Sequence, residues 1–289
     1  MGVDRRARFI LSAVLKTRIL TALVMVPLLV AALLFLPLPG VVVLFGLFIA
    51  AAAWEWASLS GLETFFARSA YVAILLLLGG IGIVGAQRQP LLILVFLAAA
   101  ALWWLWALVE LFRRGDIRRG MFNSLPGRIA GGFLVLVPLW VASIYLLAAD
   151  MRRPRALLYA FVLVWVADTA AYFAGSRYGK NKLAPHLSPG KTVEGVVGGV
   201  IGVVLLAWLC GTMIWRLDSW ALLRWIGLGV VTALFSVVGD LTESKLKRIA
   251  GVKDSGNLIP GHGGVLDRID ALTAAVPVFV LGILILTKI

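Results

Sequence analysis

The sequence of 289 residues contains very few thiols, imidazoles and charges. Its one cysteine, Cys210, can form no disulfide within the chain, and with only two histidines beside it no credible zinc-binding set remains. Charged residues make up 14% of the chain, far below the share in an average soluble domain. We also find no internal repeat, no low-complexity tract and no long soluble domain.

The chain is rich in apolar residues. They make up 62% of the chain, which contains eleven Trp and has a mean hydropathy of +1.01. This composition predicts an all-α polytopic membrane protein, because about 20 consecutive apolar residues are needed to cross a bilayer as a helix. The nine predicted spans are residues 19–36, 40–59, 69–86, 90–112, 130–149, 156–176, 193–214, 219–240 and 266–287.

The net charge of +13 raises the question of a nucleic-acid partner. Most of the basic residues lie in short connections between apolar spans, a pattern typical of topology signals that face anionic headgroups. We therefore predict no nucleic-acid partner. A cytoplasmic N-terminus places most of the 27 Lys and Arg residues on the inner side and the C-terminus outside. The same arrangement puts the loops at 177–192 and 241–266 together on the cytoplasmic face.

The two halves of the chain differ in their acidic residues. Residues 1–150 contain only Glu55 and Glu110 within their spans, so we interpret this half as a scaffold of about five helices, with dimer or lipid contacts. Residues 151–289 form the predicted catalytic region of about four helices. A carboxylate at membrane depth costs a few kcal/mol unless it is paired, hydrated or metal-bound. The candidates for function are therefore Asp168, Glu194, Asp240, Glu243, Asp267 and Asp270.

Helical spacing groups these candidates. One stripe at the end of the eighth predicted span presents Asp240, Glu243, Ser244 and Lys247. Asp267 and Asp270 are three residues apart and should share a face of the ninth. The glycine-rich turn at residues 259–264 lets backbone N–H groups approach an anion. Carboxylates, cations and such a turn suit Mg²⁺ with a polyphosphate.

Each of these residues also has a structural interpretation. Asp267 and Asp270 could be acids favoured by a helix N-terminus, and Asp240 could form a structural ion pair with Lys247. His262 could be a simple turn residue. The basic residues near the headgroups, Lys245, Lys247 and Arg248, could be topology signals.

A second motif lies at residues 187–195, Leu-Ser-Pro-Gly-Lys-Thr-Val-Glu-Gly. It is not a P-loop, because that pattern requires a glycine where Pro185 stands. The motif instead predicts a turn that brings Lys191 and Thr192 to a helix N-terminus, where free N–H groups favour phosphate, with Glu194 in the first turn. Alternatively, Ser188 or Thr192 only caps the helix and Glu194 complements its dipole.

The longest motif carries a resemblance to a known family. Residues 244–270, Ser-x-Leu-Lys-Arg-x4-Lys-Asp-x-Gly-x2-Ile-Pro-x-His-Gly-Gly-Val-x-Asp-Arg-Ile-Asp, resemble the signature of phosphatidate cytidylyltransferases, or CDP-diacylglycerol synthases. The segments at 188–195 and around Asp168 are also similar to that family. The likeness is close in the C-terminal half and limited to hydropathy in the N-terminal half. It implies that CTP and phosphatidate give CDP-diacylglycerol and pyrophosphate in phospholipid biosynthesis.

The resemblance also implies Mg²⁺ with a second cation of unknown identity, a homodimer, membrane lipids as partners, and an active site facing the cytoplasm in the bacterial inner membrane. The predicted metal ligands are Asp168, Asp240, Asp267 and Asp270. The predicted catalytic residues are Asp240, Asp267, Asp270, Lys247 and Arg268. The predicted binding residues for CTP and lipid phosphates are Ser188, Lys191, Thr192, Glu194, Ser244, Arg248, Lys253, Asp254, Gly256, His262, Gly263 and Gly264.

Two other functions remain open at this point. A transporter could bury Asp168, Asp240 and Asp270 as proton or cation sites, although it would not need the glycine-rich loop. A cytidylyltransferase acting on another lipid phosphate would use the same headgroup chemistry. An alcohol phosphotransferase is disfavoured, because the Asp-Gly-x2-Ala-Arg pattern of those enzymes is absent.

Overall fold

The computed structural model describes residues 23–112, 120–148, 154–259 and 263–286. Within these ranges the chain is a bundle of helices with one short hairpin, and eight of the helices are long and apolar enough to cross a membrane. The elements are α1 (Leu23–Phe35), α2 (Leu38–Leu59), α3 (Phe65–Arg88), α4 (Pro90–Phe112), a 3-10 turn (Met121–Asn123), α5 (Leu125–Ala148), α6 (Pro154–Tyr178), β1 (Lys182–Ala184), β2 (Ser188–Thr192), α7 (Val193–Met213), α8 (Ser219–Ile249) and α9 (Leu266–Leu286). The predicted all-α polytopic fold is confirmed.

The helix α8 departs most from its predicted span. It continues past residue 240 to Ile249, so part of the predicted loop at 241–266 is helical. Hydropathy misses these last turns because they are rich in charge, yet Leu246 is fully buried and an ion pair joins Glu243 to Lys247 one turn later. The predicted start of the first span, at residue 19, lies outside the described residues.

The helix α9 lies at the centre of the bundle. It packs against α2, α4, α5, α6 and α8, and its residues 271–280 are all buried. Its neighbours α4 and α8 are joined by an ion pair, in which Lys245 Nζ lies 3.3 Å from Glu110 Oε1. The first turn of α9, which carries the predicted acids, is therefore surrounded by helices from both halves of the chain.

The helices α6 and α7 approach closely through small residues. A Cβ added at Gly199 of α7 would lie 2.9 Å from the Ala167 carbonyl oxygen of α6, and one at Gly202 would lie 2.9 Å from the Ala170 side chain. Small residues at a helix interface allow this backbone contact in a membrane. The α6 segment that contains Asp168 is thereby fixed against α7.

The connection between α6 and α7 is an antiparallel hairpin. Lys182 pairs with Thr192 and Ala184 with Ser188, and α7 follows at once. The side chain of Thr192 accepts a hydrogen bond of 3.1 Å from the Gly195 N–H, so Thr192 is the N-cap of α7. Thr192 therefore caps α7, and its contact with phosphate stays a prediction.

The N-cap gives a stability prediction. We expect Thr192→Ala to destabilise the protein by about 1 kcal/mol, because a buried N–H at the start of α7 loses its acceptor. The measurement is the melting temperature in detergent. Thr192→Ser keeps the hydroxyl, so its melting temperature should be close to that of the wild type. If Thr192→Ala also melts at the wild-type temperature, the cap does not contribute to stability.

Candidate active site

The predicted acids and bases converge where the hairpin meets the last turns of α8. Lys191 Nζ of β2 lies 2.6 Å from Asp240 Oδ2 of α8, and the Ser244 hydroxyl donates to the other Asp240 oxygen at 3.3 Å. Asp168 and Asp270 both interact electrostatically with Asp240 and with Lys191. Carboxylates from α6 and α9 therefore lie near the ion pair that joins β2 to α8.

A second ammonium group joins α8 to α9. Lys247 Nζ lies 2.7 Å from Asp267 Oδ1 and 3.3 Å from Glu243 Oε2. The structural alternative that pairs Asp240 with Lys247 is wrong, since Asp240 pairs with Lys191. Two lysines on different elements thus each hold one of the predicted catalytic carboxylates.

Asp267 also holds the loop between α8 and α9. Its Oδ2 accepts hydrogen bonds of 2.9 Å from the Ser255 N–H, the Ser255 hydroxyl and the Gly264 N–H. With Lys247 on Oδ1, both carboxylate oxygens have partners within the protein. These contacts support a positioning role for Asp267, and its assignment as a metal ligand stays a prediction.

Glu55 is a site residue that the sequence prediction missed. This α2 side chain is 3% exposed and accepts hydrogen bonds from the Val265 N–H at 3.0 Å and the Leu266 N–H at 2.8 Å. The Ser255 hydroxyl lies 3.0 Å from it and shares its one proton between Glu55 and Asp267. Glu55 therefore caps the N-terminus of α9 from 200 or more residues away in sequence. The available signal was a carboxylate inside an apolar span.

The close approach of Glu55 explains two glycines of the motif. A Cβ added at Gly256 would lie 2.6 Å from Glu55 Oε1, and one at Gly264 would contact Glu55 Oε2 and the Ser255 hydroxyl. Any larger residue would displace the carboxylate. The glycines were predicted to bring backbone donors to a phosphate; in the structure Gly256 and Gly264 make room for Glu55, and Gly264 donates to Asp267. Gly263 pairs with Ile259 in an isolated bridge.

Two further predicted binding residues hold the hairpin in place. The Arg248 guanidinium donates to the Leu187 carbonyl oxygen at 3.2 Å and to the Val252 carbonyl oxygen at 3.0 Å. Glu194 accepts from the Asn181 side-chain amide at 2.7 Å and from its backbone N–H at 3.2 Å. The contact of Arg248 with Leu187 puts the hairpin and the loop before α9 at the same end of the bundle.

The remaining predicted residues are dispersed. Ser188 begins β2, while Lys253 and Asp254 are exposed in the loop before α9. Arg268 is exposed and lines a cavity. His262 lies outside the described residues.

The donor chemistry of the cluster fits a hard divalent cation. Its carboxylates outnumber the two lysines, and both oxygens of Glu243 are buried, with Lys247 Nζ 3.3 Å from Oε2. Glu243 also faces the carboxyl group of Asp270. Among the described residues, no group of three His, Cys, Asp or Glu side chains is arranged to hold a metal ion, and lysines pair with Asp240 and Asp267. Carboxylate oxygens are the ligand type that Mg²⁺ prefers, and Mg²⁺ binding at this cluster stays a prediction.

Comparison with known proteins identifies the family. The model of the cytidylyltransferase family matches residues 16–286, which is nearly the whole chain. The chain belongs to this family. Both the hairpin and the α8–α9 segment, where the acids and lysines meet, fall inside the matched range.

Several bacterial relatives are named phosphatidate cytidylyltransferase. The protein from Pseudomonas aeruginosa is 40% identical over 265 residues, which cover 92% of this chain and 95% of the relative. The Haemophilus influenzae protein is 56% identical over 128 residues, 43% of each chain. A Staphylococcus aureus protein is 46% identical over 123 residues, 42% of this chain and 46% of the relative. The similarity to the cytidylyltransferase family therefore includes the N-terminal helices, for which the sequence alone showed a likeness only in hydropathy.

Proposed function

We propose that this protein transfers the cytidylyl group of CTP to phosphatidate, giving CDP-diacylglycerol and pyrophosphate. The observation that carries the proposal is the meeting of Lys191, Asp240, Lys247 and Asp267 from three elements in a member of the cytidylyltransferase family. The names of the relatives support the lipid substrate. No observation favours a transporter or a different lipid phosphate.

The reaction needs charge neutralisation and alignment. A phosphatidate oxygen attacks the α-phosphorus of CTP and a new P–O bond forms. The bond from that phosphorus to the oxygen that bridges the α- and β-phosphates breaks, and the β- and γ-phosphates leave as pyrophosphate. The attacking oxygen is already an anion, so no side chain has to remove a proton. The protein has to hold two groups that repel each other in line. Lys191 and Lys247, each now paired with a carboxylate, are placed to donate hydrogen bonds to phosphate oxygens.

The acids have a complementary role. Asp168, Asp240 and Asp270 would hold Mg²⁺, which when bound supplies positive charge to the phosphates. Asp267 and Glu55 hold the start of α9 and the preceding loop in place against α8. We infer that this end of the bundle faces the cytoplasm, because most Lys and Arg residues lie on that side in the predicted topology. The homodimer and a second cation stay predictions.

An assay with purified protein tests the function. In detergent micelles with CTP, Mg²⁺ and phosphatidate, we expect CDP-lipid and pyrophosphate in equal amounts. EDTA should abolish the reaction and added Mg²⁺ should restore it, since the acid cluster repels phosphates without a cation. A polyprenyl phosphate offered in place of phosphatidate is the matched substrate control. CDP-lipid formation only with that substrate, or ion flux in vesicles without CTP, would contradict the proposal.

A further inference from the structure

An apolar cavity opens beside the first turn of α9. Its volume is about 670 Å³, and it is lined by helices α1, α2, α5, α6 and α9 together with Ile259 and Val265 of the preceding loop. Its walls are almost entirely aliphatic and aromatic side chains. The cavity is thus continuous with the loop that Asp267 and Glu55 hold.

The cavity has the length of an acyl chain in one leaflet. Its lining follows α1 from Met25 and ends at Leu36, the residue after that helix. At a rise of about 1.5 Å per residue this wall is ~16 Å long, and the hydrocarbon half of one leaflet is ~15 Å thick. On α9 the lining begins at Arg268 and reaches Leu272 one turn deeper. The cavity therefore runs from the polar end of the bundle towards the middle of the membrane.

One charged residue stands at the polar end of this lining. Among the described residues that line the cavity, Arg268 alone carries a charge. Its neighbour Asp267 points to Lys247 and the loop, and Asp270 interacts with Asp240 and Glu243. The first turn of α9 thus presents a cation to the apolar cavity and acids to the lysine cluster. A guanidinium above an apolar groove complements a lipid that has an anionic phosphate and hydrocarbon chains.

We propose that this cavity binds an acyl chain of the lipid substrate and that Arg268 binds the lipid phosphate. This inference rests on the proposed function and divides its substrates between two faces of α9. CTP phosphates meet Lys191 and Lys247 on one side, and the lipid phosphate meets Arg268 on the other. Leu44 and Phe48 of α2 form part of the wall and limit the room for the chain.

A matched pair of tryptophan variants on α2 tests the chain site. Leu44 lines the cavity, whereas Leu47, three residues later, is 63% exposed and outside the lining. We expect Leu44→Trp to raise the KM for dioleoyl phosphatidate about tenfold or more, a loss of the order reported for misfitted apolar groups. The KM for dihexanoyl phosphatidate and the KM for CTP should stay unchanged. Leu47→Trp should leave all three constants at the wild-type values.

Variants of Arg268 test the headgroup contact. Arg268→Gln should raise the KM for both phosphatidates about tenfold or more and leave the KM for CTP unchanged, because the lost charge faces the lipid. Arg268→Lys should recover part of the loss. A rise in the KM for CTP alone would overturn the assignment of Arg268 to the lipid.

The outcomes separate this inference from the proposed function. If wild-type protein makes no CDP-lipid from either phosphatidate, the proposed function fails. If it does, but Leu44→Trp affects short and long chains equally or behaves as Leu47→Trp does, the chain site is wrong and the cavity holds only a bystander lipid. A rise in the KM for phosphatidate that increases with acyl-chain length in Leu44→Trp, and is absent in Leu47→Trp, supports the chain site.

Discussion

Asp240→Asn is expected to lower kcat by ~10²–10³, the range found when one preorganised electrostatic partner is removed from an active site. The substitution keeps the shape of the side chain and removes its charge. Lys191, 2.6 Å from Asp240, then loses its anionic partner, and the cluster loses a hard oxygen ligand. The measurement is CDP-lipid formation at saturating CTP and phosphatidate. The Mg²⁺ concentration for half-maximal rate should also rise.

The same helix supplies the control for Asp240. Asp218 is the N-cap of α8 at the opposite end, where it accepts a hydrogen bond of 2.8 Å from the Ala221 N–H. Asparagine caps helices as well as aspartate does, so Asp218→Asn should keep the wild-type kcat. An unchanged kcat in Asp240→Asn would remove this residue from the site.

Glu55→Gln is expected to lower kcat by ~10² while the protein stays folded, because small displacements of a catalytic turn carry losses of this size. The carboxylate accepts hydrogen bonds from Ser255, Val265 and Leu266. An amide has one oxygen and one NH₂ group, so at least one of these donors would face another donor. The start of α9 would then shift, and with it Asp267. Glu55→Ala should in addition lower the melting temperature, since it leaves buried N–H groups without an acceptor.

Kinetic measurements distinguish a positioning role for Glu55 from a purely structural one. At a temperature where circular dichroism shows a fully helical protein, Glu55→Gln should lower kcat more than it changes the KM for CTP. Glu63 is exposed in the connection between α2 and α3, and Glu63→Gln is the matched control with unchanged kinetics. If the folded fraction of Glu55→Gln turns over at the wild-type rate, Glu55 serves stability alone.

The sequence predicts the helices well because each span depends on its own residues. Apolar length alone predicts both ends of α9 to within one residue and those of α5 to within five, since burial in lipid needs no information about neighbours. The end of α8 was missed for the converse reason. Its last turns are charged, and only tertiary partners such as Glu110 and Asp267 show that they are buried against other helices.

The candidate site was predicted as a set of residues, without its pairing. Spacing along a helix placed Asp240 and Lys247 on one stripe, yet the shortest ion pair of each is with another element, through Lys191 and Asp267. The role of Glu55 depends on a contact between residues 200 positions or more apart, which no local pattern reveals. The motif glycines were assigned to phosphate for the same reason, because their neighbour on α2 was unknown.

The hydrogen bonds that Glu55 accepts at the start of α9 make the C-terminal half of the chain dependent on the N-terminal half. A fragment beginning after α5 would retain the whole signature and would lack the acceptor for the N–H groups of Val265 and Leu266. Those donors would be stranded in an apolar interior. We therefore expect the C-terminal half, which contains the signature, to be inactive by itself. Shortened or chimeric versions of the protein should include α2.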